Sequence, residues 1–547
     1  MCSLCDRGKR QLHSTSRRDF LKGTAVAGVA AGAVGLFESR AEAHGHPVNP
    51  PPHTGRPGQR YVIRNGYVMT MEPGTPGANS SFGEFIEGDV LVQGRTIQAI
   101  GTNLNAGNAT EIDASGKVVM PGFIDTHHHQ AWTAIRSAIP DSILIDDGTG
   151  TASAEQNYYA HVLAGPTGTT GFARNYRPQD VYISELFGGL SQLDAGVTTV
   201  LDISQIHHSP QHSDAAIQAL RDAGRRAMLG YFESAGNVPG NQYPQDATRL
   251  AGILSSDPLL GFIMGGEVYL GEATYTAAWT IGRQLQVQIA AHILSPFGIR
   301  PILDGLATGM AGNNLITKQP LTIGPDNLFI HMTGMSNLGW QAVHDKGAQV
   351  SIAFPIEMNM RHGTPPIVKM QQLGLEPSLS TDVETNMTAD FFSQMRGAMT
   401  LQRSIINQAV LDTGDFVTYP NGVWPPFPAG LPRLLNARDV LRFATINGAK
   451  ALRLDGKTGS LKVGKEADII ILDGTHLNVF PMNNVPGAVV TLMDRTNVET
   501  VIVAGKIRKW NGQLLDVDLD QLSTQLAATR DFLYRATGVP QNPFPAK

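Results

Sequence analysis

Two histidines spaced one residue apart carry the strongest chemical signal in this chain. They stand in Pro121-Gly122-Phe123-Ile124-Asp125-Thr126-His127-His128-His129-Gln130, just after the strand-like run Lys117-Val118-Val119-Met120. On a strand, alternate residues point to one side. His127 and His129 therefore project together, and two imidazoles on one face can bind one transition metal. His128 points the other way and is expected to be packed or hydrogen-bonded. A bare His-x-His is a weak signal, because histidine is common at strand ends, so the remaining ligands must appear downstream.

Three residues qualify. His292 ends Val287-Gln288-Ile289-Ala290-Ala291-His292, His331 ends Leu328-Phe329-Ile330-His331, and Asp382 ends Ser378-Leu379-Ser380-Thr381-Asp382. Each closes an apolar run that reads as a strand. Further strands are expected at 197–204, 226–233, 260–268, 286–292, 328–331, 349–354 and 377–382, with amphipathic helical patterns such as 213–223 and 274–285 between them. With the opening strand this makes eight β units alternating with helices, the pattern of a parallel (β/α)8 barrel. Barrel enzymes keep their chemistry at the C-terminal strand ends, where all these polar residues fall.

Short β-like runs broken by glycine occupy 61–119, and β-like segments return at 467–472, 487–492 and 498–503 after a helical stretch at 437–452. The expected fold class is α/β, a TIM barrel with a composite β-sandwich domain built from both chain ends. The expected divisions are a signal peptide at 1–43, a Pro/Gly-rich linker at 44–59, the N-terminal part of the sandwich at 60–118 and the barrel at 119–455. The C-terminal part of the sandwich follows at 456–515, and a helix at 516–547.

The N-terminus reads as an export signal. Ser16-Arg17-Arg18-Asp19-Phe20-Leu21-Lys22 has the twin-arginine pattern, a weakly apolar stretch runs to Phe37, and Ala41-Glu42-Ala43 offers a cleavage site. The apolar stretch is short for a span needing about 20 residues, so no stable membrane anchor is expected after cleavage. The expected location is periplasmic or secreted, with the twin-arginine export machinery as a partner. Cleavage leaves 504 residues with net charge −8, and removes both cysteines, Cys2 and Cys5. That excludes a thiol ligand or nucleophile and any disulfide. The acidic balance, with no basic cluster beyond the N-terminus, argues against nucleic acid. A small molecule is the expected substrate, and a homo-oligomer is compatible with all of these features.

These motifs resemble the amidohydrolase superfamily, in the branch of cytosine and guanine deaminases and triazine chlorohydrolases. Besides the strand-end residues, Gly196-Val197-Thr198-Thr199-Val200, Ala444-Thr445-Ile446-Asn447-Gly448-Ala449 and Gly459-Ser460-Leu461-Lys462-Val463-Gly464-Lys465-Glu466-Ala467-Asp468 match its pattern. The resemblance implies that His127, His129, His292 and Asp382 hold one divalent metal, zinc first, with iron, manganese or cobalt as alternatives. It further implies that His331 stands beside the nucleophile or the substrate oxygen, or serves a second metal. An ion so held lowers the pKa of bound water from 15.7 to about 7. The implied activity is therefore hydrolysis by a metal-activated hydroxide, with Asp382 accepting the proton.

One departure matters. Deaminases of this branch carry Glu three residues after the fifth-strand histidine, and this chain has Ser295. Serine cannot shuttle protons as that Glu does, a role worth roughly 10²–10⁴-fold. The favoured reaction is therefore hydrolysis of a C–N bond in an amide, urea, lactam or related small molecule. Deamination of a heterocycle with another proton shuttle, Glu384 or Glu267, is the alternative, and a non-catalytic metal- or ligand-binding protein is the rival from another class. Glu267 is also a candidate metal bridge. Arg361, His362 and Ser295 are candidate substrate contacts. His207, His208 and His212 line the pocket or sit solvated in a loop, and 137–177, with Tyr158, Tyr159 and His161, is long enough for a lid or is plain surface.

Overall fold

The computed structural model describes residues 49–146, 148, 156–163, 171–236, 238–414 and 428–541. The expected signal peptide at 1–43 lies outside the described residues, as do parts of the linker, of the 137–177 loop and of the C-terminal tail. Eight parallel strands follow one another around a barrel in sequence order: Phe123–His128, Val197–Ser204, Arg226–Tyr231, Leu260–Gly265, Ile289–Leu294, Asn327–Thr333, Gln349–Ile352 and Ser378–Leu379. The seam between the first and eighth is drawn shut by backbone hydrogen bonds. Asp382 N–H donates to the His127 carbonyl at 3.0 Å, and His129 N–H to the Asp382 carbonyl at 2.8 Å. Inside the seam, the Thr126 hydroxyl meets those of Ser351 and Ser378 at 2.7 and 2.8 Å.

The barrel interior is apolar below the site: Ile124, Leu201, Ile203, Phe232, Ile263, Ala290, Leu328 and Ile330 form one buried cluster with Ala449, Ala451 and Leu452. The last three belong to, or immediately follow, the helix Ile446–Ala451, which plugs the barrel base. Gly448 permits that approach, since a Cβ there would stand 2.8 Å from Ile124 Cβ. This is a physical reason for the glycine in Thr445-Ile446-Asn447-Gly448-Ala449.

The second body is a nine-stranded sheet from both chain ends. Arg60–Met69, Glu84–Gln93, Thr96–Gly101, Thr110–Asp113 and Lys117–Pro121 meet Ile469–Asp473, Val498–Val503, Lys506–Trp510 and Gln513–Leu514. The halves join where Lys117–Pro121 pairs antiparallel with Ile469–Asp473. The run Lys117–Met120 thus belongs to this sheet, and the barrel opens at Phe123, four residues later than the expected start at 119. The hydrogen-bond ladder changes partner there because Gly122, beyond Pro121, lies against Thr198 on the second barrel strand; a Cβ at 122 would stand 2.2 Å from its methyl group.

One expected strand is a helix. Residues 487–491 lie in the helix Val485–Thr491, with Leu492 capping its end; the helix starts with Pro486 in its first turn and Asn484 accepting from Gly487 N–H at 2.7 Å. A proline and an Asn cap favour a helical start over a ladder. The expected helix at 437–452 is two, Ala437–Phe443 and Ile446–Ala451, broken at Thr445.

Barrel and sandwich are pinned together by a buried ion pair. Arg226, at the start of the third barrel strand, donates through Nε to Asp468 at 3.0 Å and through Nη2 to Glu466 at 2.6 Å, and Asp468 also accepts from Ala504 N–H at 2.6 Å. Arg226→Met leaves the buried Asp468 carboxylate without its cation, which costs about 3 kcal/mol. The urea midpoint of the variant is expected to fall accordingly, and an unchanged midpoint would show that the pair does not pin the two bodies.

Candidate metal centre

The first barrel strand slips in its pairing with the second between Asp125 and His128. Past the slip, the two alternate histidines converge as expected, with His127 Nε2 3.0 Å from His129 Nε2. His292, from the fifth strand, brings its Nε2 to 3.1 Å from His127 Nε2. Asp382 Oδ1 stands 3.6 Å from the Nε2 of both His127 and His129. His331 Nε2 is 3.7 Å from Asp382 Oδ2. All five side chains are buried. His128 turns the other way, with Nδ1 3.1 Å from the Thr381 hydroxyl.

This donor set fits a divalent cation. A neutral imidazole carries one N–H, so crowded Nε2 atoms cannot all satisfy one another. The separations from His127 Nε2 to His129, His292 and Asp382, 3.0, 3.1 and 3.6 Å, match the edges, roughly 3.3 Å, of a tetrahedron with bonds of about 2.0–2.1 Å. Burial, with repulsion from His292 and neighbouring histidines, holds His127 and His129 well below the ordinary imidazole pKa, and burial with His362 and His292 does so for His331. Neutral imidazole is the form that ligates. Burial pushes the Asp382 carboxyl up to about 7 against the opposing pull of His292. A cation at the centre would bring it down again.

Two buried carboxylates orient the rings from behind. Glu267 Oε1 meets His292 Nδ1 at 2.5 Å, and both its oxygens accept from His292 N–H at 3.2 Å. Glu357 Oε1 accepts from His331 Nδ1 at 2.9 Å and from Ala353 N–H at 3.0 Å. Glu267 is therefore committed to the far side of His292 and does not face the converging Nε2 atoms, contrary to its expected place as a metal bridge. His331 and Asp382 also adopt left-handed backbone, φ 72° and 60°. For residues other than glycine this costs about 1–3 kcal/mol each, and the seam hydrogen bonds and Glu357 hold them there.

A narrow cavity of about 30 Å³ reaches this cluster, lined by His129, Gln205, Tyr269, His292, His331, His362 and Asp382 on its polar side. Leu144, Leu163, Leu294, Phe297, Met360 and Val383 supply apolar wall, and Tyr158 of the 137–177 loop completes it. A larger cleft of about 920 Å³ lies near the barrel base, and several of its charges are paired, Arg438 with Glu84, Arg442 with Glu376 and Lys462 with Glu72. It carries none of the convergent ligands.

Among the expected substrate contacts, the structure brings only His362 to the cavity. Its ring is 4.7 Å from that of His331, neither nitrogen has a partner, and burial, reinforced by His292, pushes its pKa down to about 3. Arg361 is exposed, because its left-handed φ of 57° turns the chain between it and His362. Ser295 is exposed as well: it opens the 3-10 turn Ser295–Phe297, past the end of the fifth strand. Glu384 pairs with Arg136 at 2.7 Å, away from the cavity. The histidines after strand two neither line the cavity nor sit in solvent. His207 bonds Ser213, His208 bonds Ser234 and the Ala173 carbonyl, and His212 bonds Ser209 and the Tyr176 carbonyl. Gln205, Glu357 and Tyr269 were not expected; each stands at or just beyond a barrel strand end, the rule that selected His292.

Comparison with known proteins bears on the family and the fold. The model of the amidohydrolase family matches residues 118–419 and 429–508, and that of the twin-arginine translocation pathway signal sequence matches residues 14–34. A 5'-deoxyadenosine deaminase of Methanosarcina mazei is 27% identical over 472 residues, 84% of this chain and 94% of the relative. A 5-methylthioadenosine/S-adenosylhomocysteine deaminase of Thermococcus kodakarensis is 26% identical over 82% of this chain and 93% of its own. In fold the chain is similar to a zinc-bound adenosine deaminase from Xanthomonas campestris (TM-score 0.68, 20% identity, 88% and 99% of the two chains). It is likewise similar to the zinc complex of atrazine chlorohydrolase from Arthrobacter aurescens (TM-score 0.65, 20% identity, 86% and 100%). The chain belongs to the amidohydrolase family.

Proposed function

We propose that this chain is an exported, metal-dependent hydrolase that cleaves a C–N bond of a small molecule, with one divalent metal held by His127, His129, His292 and Asp382. The observation that carries this reading is the buried cluster in which His127 meets His129 and Asp382 on one side and His292 and His331 on the other, with His129, His292, His331 and Asp382 lining one cavity. A divalent ion held there supplies Lewis acidity and lowers the pKa of a coordinated water to about 7.

The chain's own residues do the rest. The Asp382 carboxylate, within 4 Å of three of the imidazoles, accepts the proton of the attacking water. Glu357 takes the Nδ1 proton of His331 in a hydrogen bond and so leaves the Nε2 lone pair turned towards Asp382, where it can orient the nucleophile. The apolar wall from Leu144 to Val383 limits access of bulk water, which strengthens each polar contact inside. The twin-arginine segment supports export, to the periplasm or beyond.

The exposed position of Ser295 favours an amide, urea or lactam over an aminated heterocycle, since no proton shuttle stands at that place. The deaminase names of the relatives favour the second reading, removal of ammonia from a heterocycle. Release of ammonia from an adenosine-type substrate would select it.

Mass spectrometry of the purified mature protein is expected to give about one divalent metal per chain, and the His127→Ala/His129→Ala variant is expected to hold none. Two metals per chain would instead bring His331 and His362 in as ligands, and none in folded, unstripped protein would overturn the reading. Asp382→Asn is expected to lower turnover about 10²–10⁴-fold while the circular dichroism spectrum stays the same; full activity in that variant would remove Asp382 from the mechanism.

A further inference from the structure

Bonded to two residues of the cavity lining, Gln205 and Tyr269, is a carboxylate that the mechanism above does not use. Glu233 directly follows Phe232, whose ring packs 5.7 Å from that of His292. One of its oxygens, Oε1, is fixed from two sides: Gln205 Nε2 donates to it at 2.8 Å, and the Tyr269 hydroxyl donates to it as well. The other, Oε2, is shielded from solvent and has no hydrogen-bond partner. Backbone bonds from Phe232 N–H to the Ser204 carbonyl, 3.2 Å, and from Ala235 N–H to the Gln205 carbonyl, 2.9 Å, lock the two strand ends side by side. Gln205 and Tyr269 themselves line the cavity beside His129 and His292.

A buried carboxylate oxygen left without a donor costs free energy on the order of 1–3 kcal/mol or more, which an N–H donor on a ligand would recover. Gln205 and Tyr269, which follow strands two and four, line the cavity and hold Glu233, which follows strand three, while His362 follows strand seven, across the barrel. Burial, with the Glu267 charge nearby, pushes the Glu233 carboxyl up to about 7, so a bound donor would decide its ionisation.

We propose that Glu233 is a substrate-binding and specificity-determining residue, whose free Oε2 accepts an N–H of the substrate. The substrate class is then a small molecule with an N–H or NH2 group beside the C–N bond that is cut, and isosteres offering only an acceptor there are rejected. This assignment rests on the hydrolase reading for its substrate class but not for its ligand contact.

The test uses pairs of small probes, primary or secondary amides, ureas and amino-heterocycles, each matched with its N-methylated analogue. Binding is measured by calorimetry on the zinc-loaded wild-type mature chain, and turnover of each probe is followed on the same protein. The N–H member of a pair is expected to bind about 10–100-fold more tightly than its N-methylated partner. Glu233→Gln keeps an oxygen for Gln205 and Tyr269 but turns the free oxygen into an NH2 donor, so it is expected to lose or invert that preference with the fold and metal content intact. A merely structural role would not invert it. Equal affinities within every pair, the same preference in Glu233→Gln, or no binding by any probe would overturn the proposal. Binding with the expected preference but no turnover of any probe by the wild type would count against the hydrolase reading and leave the Glu233 contact supported.

Discussion

The closing seam of the barrel is the constraint on which the rest depends. Asp382 donates its N–H to the His127 carbonyl, and His129 donates its N–H to the carbonyl of Asp382. The same bonds that shut the barrel bring the first and last candidate ligands of the chain onto one point. They also hold Asp382 in a left-handed conformation that its side chain would not choose in isolation. Closure and ligand geometry are thus one interaction, so any loosening of the seam would be felt at the metal centre before it was felt in the core.

Around that point the protein separates two tasks that buried carboxyl groups can perform. Asp382 faces the imidazole Nε2 atoms, where an ion would sit. Glu267 and Glu357 lie behind His292 and His331 and fix the rings through their Nδ1 atoms. Such outer contacts orient ligand rings and raise their basicity. Glu233 performs neither task and is held by Gln205 and Tyr269 instead.

Much of this was legible in linear form because strands carry their own rulers. Alternation placed His127 and His129 together and His128 apart. The rule that chemistry gathers at C-terminal strand ends selected His292, His331 and Asp382. Arg361 and Ser295 were misplaced because both lie past strand ends. There a single left-handed residue or one 3-10 turn redirects a side chain, and hydrophobic pattern carries no record of it. The segment 487–492 read as a strand because Gly487–Leu492 is apolar and short, a pattern that a buried helix shares. The clustered histidines after strand two looked exposed only because their partners, the carbonyls of Ala173 and Tyr176, come from a distant loop.

By itself the sequence determined the α/β barrel with its two-ended sheet, the export signal and the five strand-end residues of the candidate centre. Each of these is written in local periodicity, in turn residues or in motif spacing. Only the tertiary structure decided which carboxylate faces the imidazole Nε2 atoms and which supports a ring, that His362 enters the cavity while Arg361 leaves it, and that Gln205 and Tyr269 hold Glu233. Those distinctions depend on which hydrogen bonds form between strand ends remote in sequence and on the backbone conformation just beyond them. Neither is fixed until the barrel closes.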